Sequence, residues 1–206
     1  INNPLGGIFN CLQILKQNSE DPKLREKYLD LVREGMDRIE LTVSKLLWMS
    51  RKTERSPVEV NIKNAVEGVY SFLKYKIRDG RIIFRNEVPE NLRFTFDVHD
   101  LQQLLLNLFI NAVHAMESEG VLTVRADRQD STVAIEVTDT GCGIPPEKIG
   151  RIFDPFFTTK PTGEGTGLGL WLTYEIVRNY DGEIAVESET GKGSRFIMHF
   201  PAGRPA

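Results

Sequence analysis

Glycine stands at positions 163, 165, 167 and 169, where the apolar run 168–177 begins. A strand with this spacing would lose side-chain packing at each glycine and would cost extra backbone entropy. The segment therefore predicts a flexible loop, with bare backbone N–H groups, that leads into a helix. Because a helix N-terminus carries unpaired N–H donors and a partial positive charge, we expect a phosphate to bind there under a glycine lid.

The composition predicts a folded protein and excludes several functions. Of the 206 residues, 40% are hydrophobic and 9% aromatic, and 26 basic residues balance 29 acidic ones. No run approaches the roughly 18 apolar residues of a membrane span. Two separated cysteines and three scattered histidines give no disulfide or zinc pattern. We therefore expect a cytoplasmic chain that binds no nucleic acid and does not contact the membrane directly.

Two amphipathic helices are predicted at the start of the chain. Residues 1–18 carry apolar side chains at helical spacing, and the turn 18–22 ends in a proline that can open a second helix. The apolar stripe of the second helix is wide, which favours a four-helix bundle over a two-stranded coil. We predict a helical hairpin over 1–55 that forms a homodimer. The alternative is that the hairpin packs onto the rest of its own chain.

A second domain is predicted over 56–206, after a polar linker that ends in Pro57. Its pattern alternates between strand and helix periods. Strands are expected at 58–61, 81–88, 92–96, 121–128, 132–138, 183–189 and 194–201. Helices are expected at 62–77, 97–117 and 168–177, with Asp97 as a cap. The result is an α/β sandwich with a mixed sheet covered on one side by three helices.

Asn107 and Asn111 lie four residues apart on an apolar helix, so both amides share one face. A buried unpaired amide costs on the order of 1–3 kcal/mol, so these amides must be hydrogen-bonded or must bind a ligand. An amide oxygen suits Mg²⁺, which takes further oxygens from water and phosphate. A structural role is the alternative, particularly for Asn107. His114 is either a surface histidine or a phosphate contact.

Asp139 ends a predicted strand and is followed by Gly141 and Gly143. Its carboxylate can accept a hydrogen bond from an exocyclic amine, and the glycines would let a flat ring approach the backbone. Acidic turns with glycines are common, so this motif alone is weak. Together with the two asparagines and the glycine loop, in this order, it indicates a nucleotide pocket.

These motifs resemble those of the sensor histidine kinases of two-component systems. The resemblance covers the N box at 107–111, the G1 box at 139–143, the F box at 153–157, the G2 box at 165–169 and a last glycine element at 191–196. Residues 1–5, Ile-Asn-Asn-Pro-Leu, are similar to the tail of the family's H-E-x-x-N-P-L phosphoacceptor box. The resemblance implies a dimerisation and phosphotransfer hairpin followed by a Bergerat-type ATP-binding domain.

The resemblance also implies roles for individual residues in binding ATP and Mg²⁺. Asn111 would be the principal Mg²⁺ ligand, with Asn107 supporting it or the phosphates, and Asp139 would hold the adenine amino group. Lys160 would meet the γ-phosphate, and Asn3 would orient the water that dephosphorylates the response regulator. The other implied positions line the base, anchor the lid or contact phosphates: His114, Gly141, Gly143, Ile144, Phe153, Phe157, Thr159, Gly165, Thr166, Gly167, Leu168 and Gly169.

Two departures from the family pattern stand out. The phosphoacceptor histidine and its acidic neighbour would fall immediately before Ile1, and none of the three histidines lies in the predicted hairpin. We therefore expect a fragment of a longer kinase, such as the cytoplasmic part of a membrane-anchored sensor, that binds ATP without phosphorylating itself. His114-Ala115 stands where relatives carry a basic and an aromatic residue, which affects the inner phosphate contacts.

The implied activity is that of a protein-histidine kinase. The γ-phosphoryl group of ATP would pass to a histidine on the first bundle helix, and then to an aspartate on the receiver domain of a response regulator. One alternative is a non-catalytic dimeric scaffold that binds nucleotide and regulator. Another is an ATPase of the same superfamily, such as a chaperone or DNA-repair clamp, but those follow the pocket with a transducer domain.

Overall fold

The computed structural model describes residues 2–17, 21–50, 56–74, 81–117, 119–160 and 166–202. The chain divides into two compact units. The first unit contains helix α1 (Asn2–Gln17) and helix α2 (Pro22–Ser50), which pack against each other. Asp21 caps α2, since its Oδ1 accepts hydrogen bonds from the N–H groups of Lys23 and Leu24 at 2.9 and 3.2 Å. None of the helices in the described residues has the length and apolar run needed to cross a bilayer.

The second unit is built on a five-stranded mixed sheet with the strand order β2-β4-β5-β7-β6. β2 and β4 pair in parallel, and the other neighbours are antiparallel. The strands of this sheet are β2 (Ile82–Asn86), β4 (Gly120–Gln129), β5 (Thr132–Asp139), β6 (Glu183–Glu189) and β7 (Gly193–Pro201). The helices of the unit are α3 (Ile62–Lys74), α4 (Val98–Ala115), α5 (Pro146–Ile149) and α6 (Gly169–Asn179).

The core lies between the sheet and the helices, as the sequence periods predict. Val133, Ile135 and Val137 of β5 are buried at every second position, and a run of leucines buries one side of α4. Asp97 caps α4 through hydrogen bonds from the N–H groups of His99 and Asp100. The predicted α/β sandwich with a mixed sheet is therefore confirmed.

The structure differs from the prediction of a single sheet with three helices. β1 (Val58–Asn61) and β3 (Arg93–Phe96) pair with each other in a separate antiparallel two-stranded sheet. Phe96 of β3 stacks on Tyr180 at the end of α6, with ring centroids 3.7 Å apart, so β3 joins the core through side chains. The one-turn helix α5 is present in the structure but is not predicted by the sequence, because four residues are too few to show a helical period.

On the face of the sheet opposite the buried side chains, charged side chains form a chain of ion pairs. Arg125 of β4 meets Glu87 at 2.7 Å and Glu136 of β5 at 3.8 Å. Arg195 of β7 meets Glu136 at 2.6 Å and Glu187 of β6 at 3.0 Å. Glu136 is the centre of this chain, and its hydrogen bond from Arg195 lowers the pKa of its carboxyl.

Replacing Glu136 by glutamine is expected to lower the free energy of unfolding by about 1 kcal/mol at neutral pH. Because the pKa of Glu136 is lower in the folded chain, its stabilisation is complete above its ordinary pKa of 4.5 and is lost as pH falls through the lowered value. Urea unfolding of Glu136→Gln and wild type between pH 7 and pH 3 measures the difference. Glu183→Gln, at an exposed position of β6, is the control. A difference that stays constant down to pH 3 contradicts this account.

Candidate nucleotide-binding site

Two asparagines of α4 begin the site. Asn107 is 3% exposed, and its Oδ1 accepts a hydrogen bond of 3.1 Å from Nε2 of Gln103. Its Nδ2 is buried without a hydrogen-bond partner in the structure. Asn111 follows one turn later and is half-buried, and His114 is exposed in the last turn. The unpartnered Nδ2 offers a donor, which suits a phosphate oxygen, and Oδ1 keeps a second lone pair beside its bond from Gln103.

Asp139 is the last residue of β5 and is 5% exposed. Its Oδ1 accepts a hydrogen bond of 2.8 Å from the N–H of Gly141, and the backbone N–H of Ser194 also donates to its carboxylate. Burial raises the pKa of this carboxyl, although the two backbone hydrogen bonds oppose the increase. Both of these donors are neutral amides, so the carboxylate retains strong acceptor capacity.

The backbone of the loop 140–144, which follows Asp139, packs directly against the backbone of two other segments. A Cβ at Gly141 would lie 2.6 Å from the carbonyl carbon of Ala115, at the end of α4. Gly143 has φ +69°, and a Cβ there would overlap the carbonyl oxygen of Glu189. The sequence suggested that these glycines admit a flat ring. The structure supplies another reason for them, the close approach of the protein's own backbone.

Three hydrogen bonds hold the loop 140–144 between α4 and the turn that joins β6 to β7. The N–H of Cys142 donates to the carbonyl of Ala115 at 2.9 Å, and the N–H of Gly191 donates to the carbonyl of Cys142 at 2.8 Å. The N–H of Ile144 donates to Oγ of Ser188 at 2.8 Å. Because the loop is hydrogen-bonded to Ala115, the last residue of α4, it brings Asp139 to the same end of α4 as Asn111.

The phenylalanine segment packs beside α6. Phe153 is half-buried, with its ring centroid 5.7 Å from that of Tyr174, and the guanidinium of Arg151 lies 4.9 Å from the ring centroid of Phe157. Phe156 is 70% exposed and has φ +65°. Gly167 has φ +64°, and a Cβ there would overlap the backbone carbonyl carbon of Phe156. The beginning of α6 therefore lies against this segment.

The start of α6 offers backbone donors. Leu168 is the N-cap residue, and its side chain makes no capping hydrogen bond. Gly169 is the first helical residue, and both residues are half-buried. The first-turn N–H groups of a helix have no partner within the helix, so they can bind an anion.

The remaining predicted residues belong to other parts of the chain or lie outside the described residues. Lys160 is half-buried, and its N–H donates to Oγ1 of Thr158 at 3.1 Å. Thr159 and Thr166 are exposed, and all three predicted residues group with the first unit of the chain. Gly165 and the side chain of Asn3 lie outside the described residues, although Asn3 itself belongs to α1.

The sequence predictions do not include Ser188, and they contain Gly193 and Ser194 only as part of the last glycine element, without a role at the site. Each serine stands at a strand position where the alternation calls for an apolar side chain facing the helices. Ser188 follows Ile184 and Val186 at every second position of β6, and Ser194 precedes Phe196 and Met198 in β7. A polar residue at an inward position beside a glycine turn is the signal that could have indicated them.

Comparisons with known proteins agree with this geometry. A family model described as "Histidine kinase-, DNA gyrase B-, and HSP90-like ATPase" matches residues 96–204. The signal transduction histidine-protein kinase AtoS of Escherichia coli (strain K12) is 36% identical over 203 residues, which cover 98% of this chain and 33% of AtoS. The chain therefore spans about a third of the length of that relative.

Two solved structures are similar to the chain. The nucleotide-free catalytic domain of histidine kinase ThkA superposes with a TM-score of 0.65 and 34% identity, covering 71% of this chain and 96% of that domain. Histidine kinase ThkA in complex with response regulator protein TrrA superposes with a TM-score of 0.73 and 28% identity, covering 98% of this chain and 58% of that chain. The chain belongs to the family of histidine kinase-, DNA gyrase B- and HSP90-like ATPases, and it contains the Bergerat-type catalytic ATPase domain of a sensor histidine kinase.

Proposed function

We propose that this chain is the catalytic core of a two-component sensor histidine kinase that binds Mg²⁺-ATP. The γ-phosphoryl group passes to a histidine expected upstream of Ile1, and then to an aspartate on a response-regulator receiver domain. One observation carries the proposal. The buried carboxylate of Asp139 and the buried, unpartnered amide nitrogen of Asn107 lie in elements that meet at the last turns of α4. A nucleotide has an amine for the first group and phosphates for the second.

In this proposal, the adenine base lies against the loop 140–144. The exocyclic amine donates to Asp139, and Ile144 borders the ring. Asn107 donates to phosphate oxygens, as do backbone N–H groups of the segment from Gly167 to Gly169, where α6 begins. The family resemblance adds His114, Thr159, Lys160, Gly165 and Thr166 as candidates for phosphate contacts, and Phe153 and Phe157 as anchors of the lid. These groups position the phosphates and stabilise their negative charge, which is how proteins accelerate phosphoryl transfer.

The residues fit a magnesium ion that arrives with the nucleotide. Asn111 offers a neutral oxygen ligand on the same side of α4 as Asn107. Among the described residues, no group of three histidine, cysteine or acidic side chains could hold a metal ion. In this proposal, Asn111 shares the ion with phosphate oxygens and water. When bound, Mg²⁺ neutralises part of the phosphate charge.

The first unit supplies the proposed dimer. Phe9 of α1 is 75% exposed and Met36 of α2 is 59% exposed, and Leu5, Leu12 and Leu29 are each about half exposed. Apolar side chains of this size, repeated along two helices, are typical of an interface. We propose that residues 1–55 form the dimerisation and phosphotransfer hairpin, and that residues 56–206 form the catalytic domain. Two copies would close a four-helix bundle, on which the regulator docks and Asn3 orients a hydrolytic water.

Replacing Asn111 by alanine is expected to remove the Mg²⁺ dependence of ATP binding. In the wild type, ATP should bind about tenfold more tightly with Mg²⁺ than with a chelator, which corresponds to about 1.4 kcal/mol. Without the amide oxygen, the two affinities should converge. Titration calorimetry of both proteins, with and without Mg²⁺, gives the four dissociation constants. Asn64→Ala, at an exposed position of α3, is the control.

The same pair of variants tests the transfer step in a chain extended upstream through its native residues. Incubation with Mg²⁺-ATP should give an acid-labile, base-stable phosphohistidine in the Asn64→Ala protein and not in the Asn111→Ala protein. A Mg²⁺ dependence that survives Asn111→Ala refutes the ligand assignment. An extended wild-type chain that binds ATP without forming phosphohistidine refutes the kinase and supports the scaffold.

A further inference from the structure

We propose that Ser188 is a positioning residue for the adenine base, and that its hydroxyl fixes the distance between the loop 140–144 and the β6–β7 turn. This inference rests on the proposed function, since it assumes that Asp139 receives the adenine amine. The chemistry of recognition is a single hydrogen bond from an exocyclic amine to a buried carboxylate. Ser188 itself does not touch the nucleotide in this proposal.

The Ser188 hydroxyl uses its whole hydrogen-bonding capacity. It accepts from the N–H of Ile144 at 2.8 Å and donates to the carbonyl of Gly193 at 2.9 Å. Its oxygen also lies 3.1 Å from Oγ of Ser194. A hydroxyl has one donor and two acceptor sites, so the remaining partner, Ser194, must be the donor in that pair. One side chain thus connects the loop on one side with the turn on the other.

Asp139 connects the same two segments. Its carboxylate accepts from Gly141, which belongs to the loop, and from the N–H of Ser194, which follows the turn. The orientation of the carboxylate therefore depends on the separation of the loop and the turn. Ser188 bridges that separation in parallel, through Ile144 on the loop and Gly193, the first residue of β7 after the turn.

The backbone leaves little room for the loop and the turn to approach more closely. A Cβ at Gly143 would overlap the carbonyl oxygen of Glu189, and a Cβ at Gly193 would overlap that of Asp139. The two segments are therefore already in contact, and a change in their separation can only move them away from each other. Removing the Ser188 hydroxyl releases the side-chain connection that opposes this movement.

A purely structural role for Ser188 makes a different prediction. If the hydroxyl only stabilised the fold, its loss would weaken the binding of every nucleotide in the same proportion. If it positions Asp139, its loss should weaken the recognition of the exocyclic amine specifically. The informative quantity is therefore the ratio of two dissociation constants measured on the same protein, because the fraction of folded protein cancels in this ratio.

The test compares ATP with purine riboside triphosphate, which has a hydrogen in place of the amine. We expect the wild type to prefer ATP about 100-fold, because the analogue leaves the buried carboxylate without its third hydrogen-bond donor. Ser188→Ala should reduce this preference about tenfold, mainly by weakening ATP, whereas Ser188→Thr should retain it because the hydroxyl is kept. Ser71→Ala, at an exposed position of α3, is the matched control. Calorimetric titration of each protein with both nucleotides supplies the ratios.

The outcomes separate this inference from the proposed function. A wild-type preference that Asp139→Asn abolishes and Ser188→Ala leaves unchanged overturns the role of Ser188 alone. A wild type without a preference overturns the assignment of adenine to Asp139, and the role of Ser188 with it. A preference that is reduced about tenfold in Ser188→Ala and retained in Ser188→Thr supports both.

Discussion

Replacing Asp139 by asparagine is expected to weaken ATP binding about 100-fold, or nearly 3 kcal/mol. The carboxylate already accepts from the N–H groups of Gly141 and Ser194, and the proposed adenine amine is a third donor. Asparagine has a single acceptor oxygen and places an NH₂ group where the second oxygen stood. At least one donor must then lose its partner in a site that is 5% exposed.

Calorimetric titration with ATP measures this loss, and Asp127→Asn, at an exposed position of β4, is the control. The affinity of the wild type should also fall in acid. Protonation of Asp139 removes acceptor capacity, and burial raises the pKa of this carboxyl above its ordinary value of 3.8. ATP affinity is therefore retained above the raised pKa and lost as pH falls through it. Purine riboside triphosphate should lack this component, and an unchanged affinity in Asp139→Asn refutes the adenine contact.

Replacing Gly193 by alanine is expected to lower the free energy of unfolding by about 4 kcal/mol, which is exceptional for a single substitution. Its φ of +107° lies in a region that alanine rarely adopts, and the added Cβ would overlap the carbonyl oxygen of Asp139. That oxygen belongs to the backbone, so relief requires β5 and β7 to separate. The movement would also displace the Asp139 carboxylate.

Gly191→Ala is the matched control for this substitution. Gly191 has φ +82°, but a Cβ there would meet no atom within 4 Å. Its replacement carries the conformational cost without the overlap, so we expect a loss of about 1 kcal/mol. Urea unfolding of the two variants and the wild type gives both values. Equal losses in the two variants would show that the overlap at Gly193 is relieved without cost.

The sequence predicts those parts of the fold that depend on local periods. The alternation in β5 and the capping role of Asp97 could be read directly, because each depends on neighbouring residues. The pairing of β1 with β3 could not be read, because the choice of a partner strand depends on the packing of Phe96 against Tyr180, 84 positions later in the chain.

The site divides in the same way. Asn107, Asn111 and Asp139 could be selected as candidates, because polar residues in apolar surroundings need partners. The need for glycine at position 143 and the role of Ser188 could not be predicted, because both depend on which loop packs against which turn in the folded protein. A tertiary contact of this kind leaves no periodic trace in the sequence.

The chain of ion pairs from Glu87 to Glu187 also encodes the order of the strands. Its charges alternate in the order Glu87, Arg125, Glu136, Arg195 and Glu187, one from each position along the sheet. An arrangement that placed β6 directly beside β5 would set Glu187 against Glu136, and a slip of β7 by one residue would turn Arg195 toward the core. The charged face therefore discriminates between the native sheet and its misassembled competitors, so it can contribute to folding fidelity even where each pair contributes little to stability.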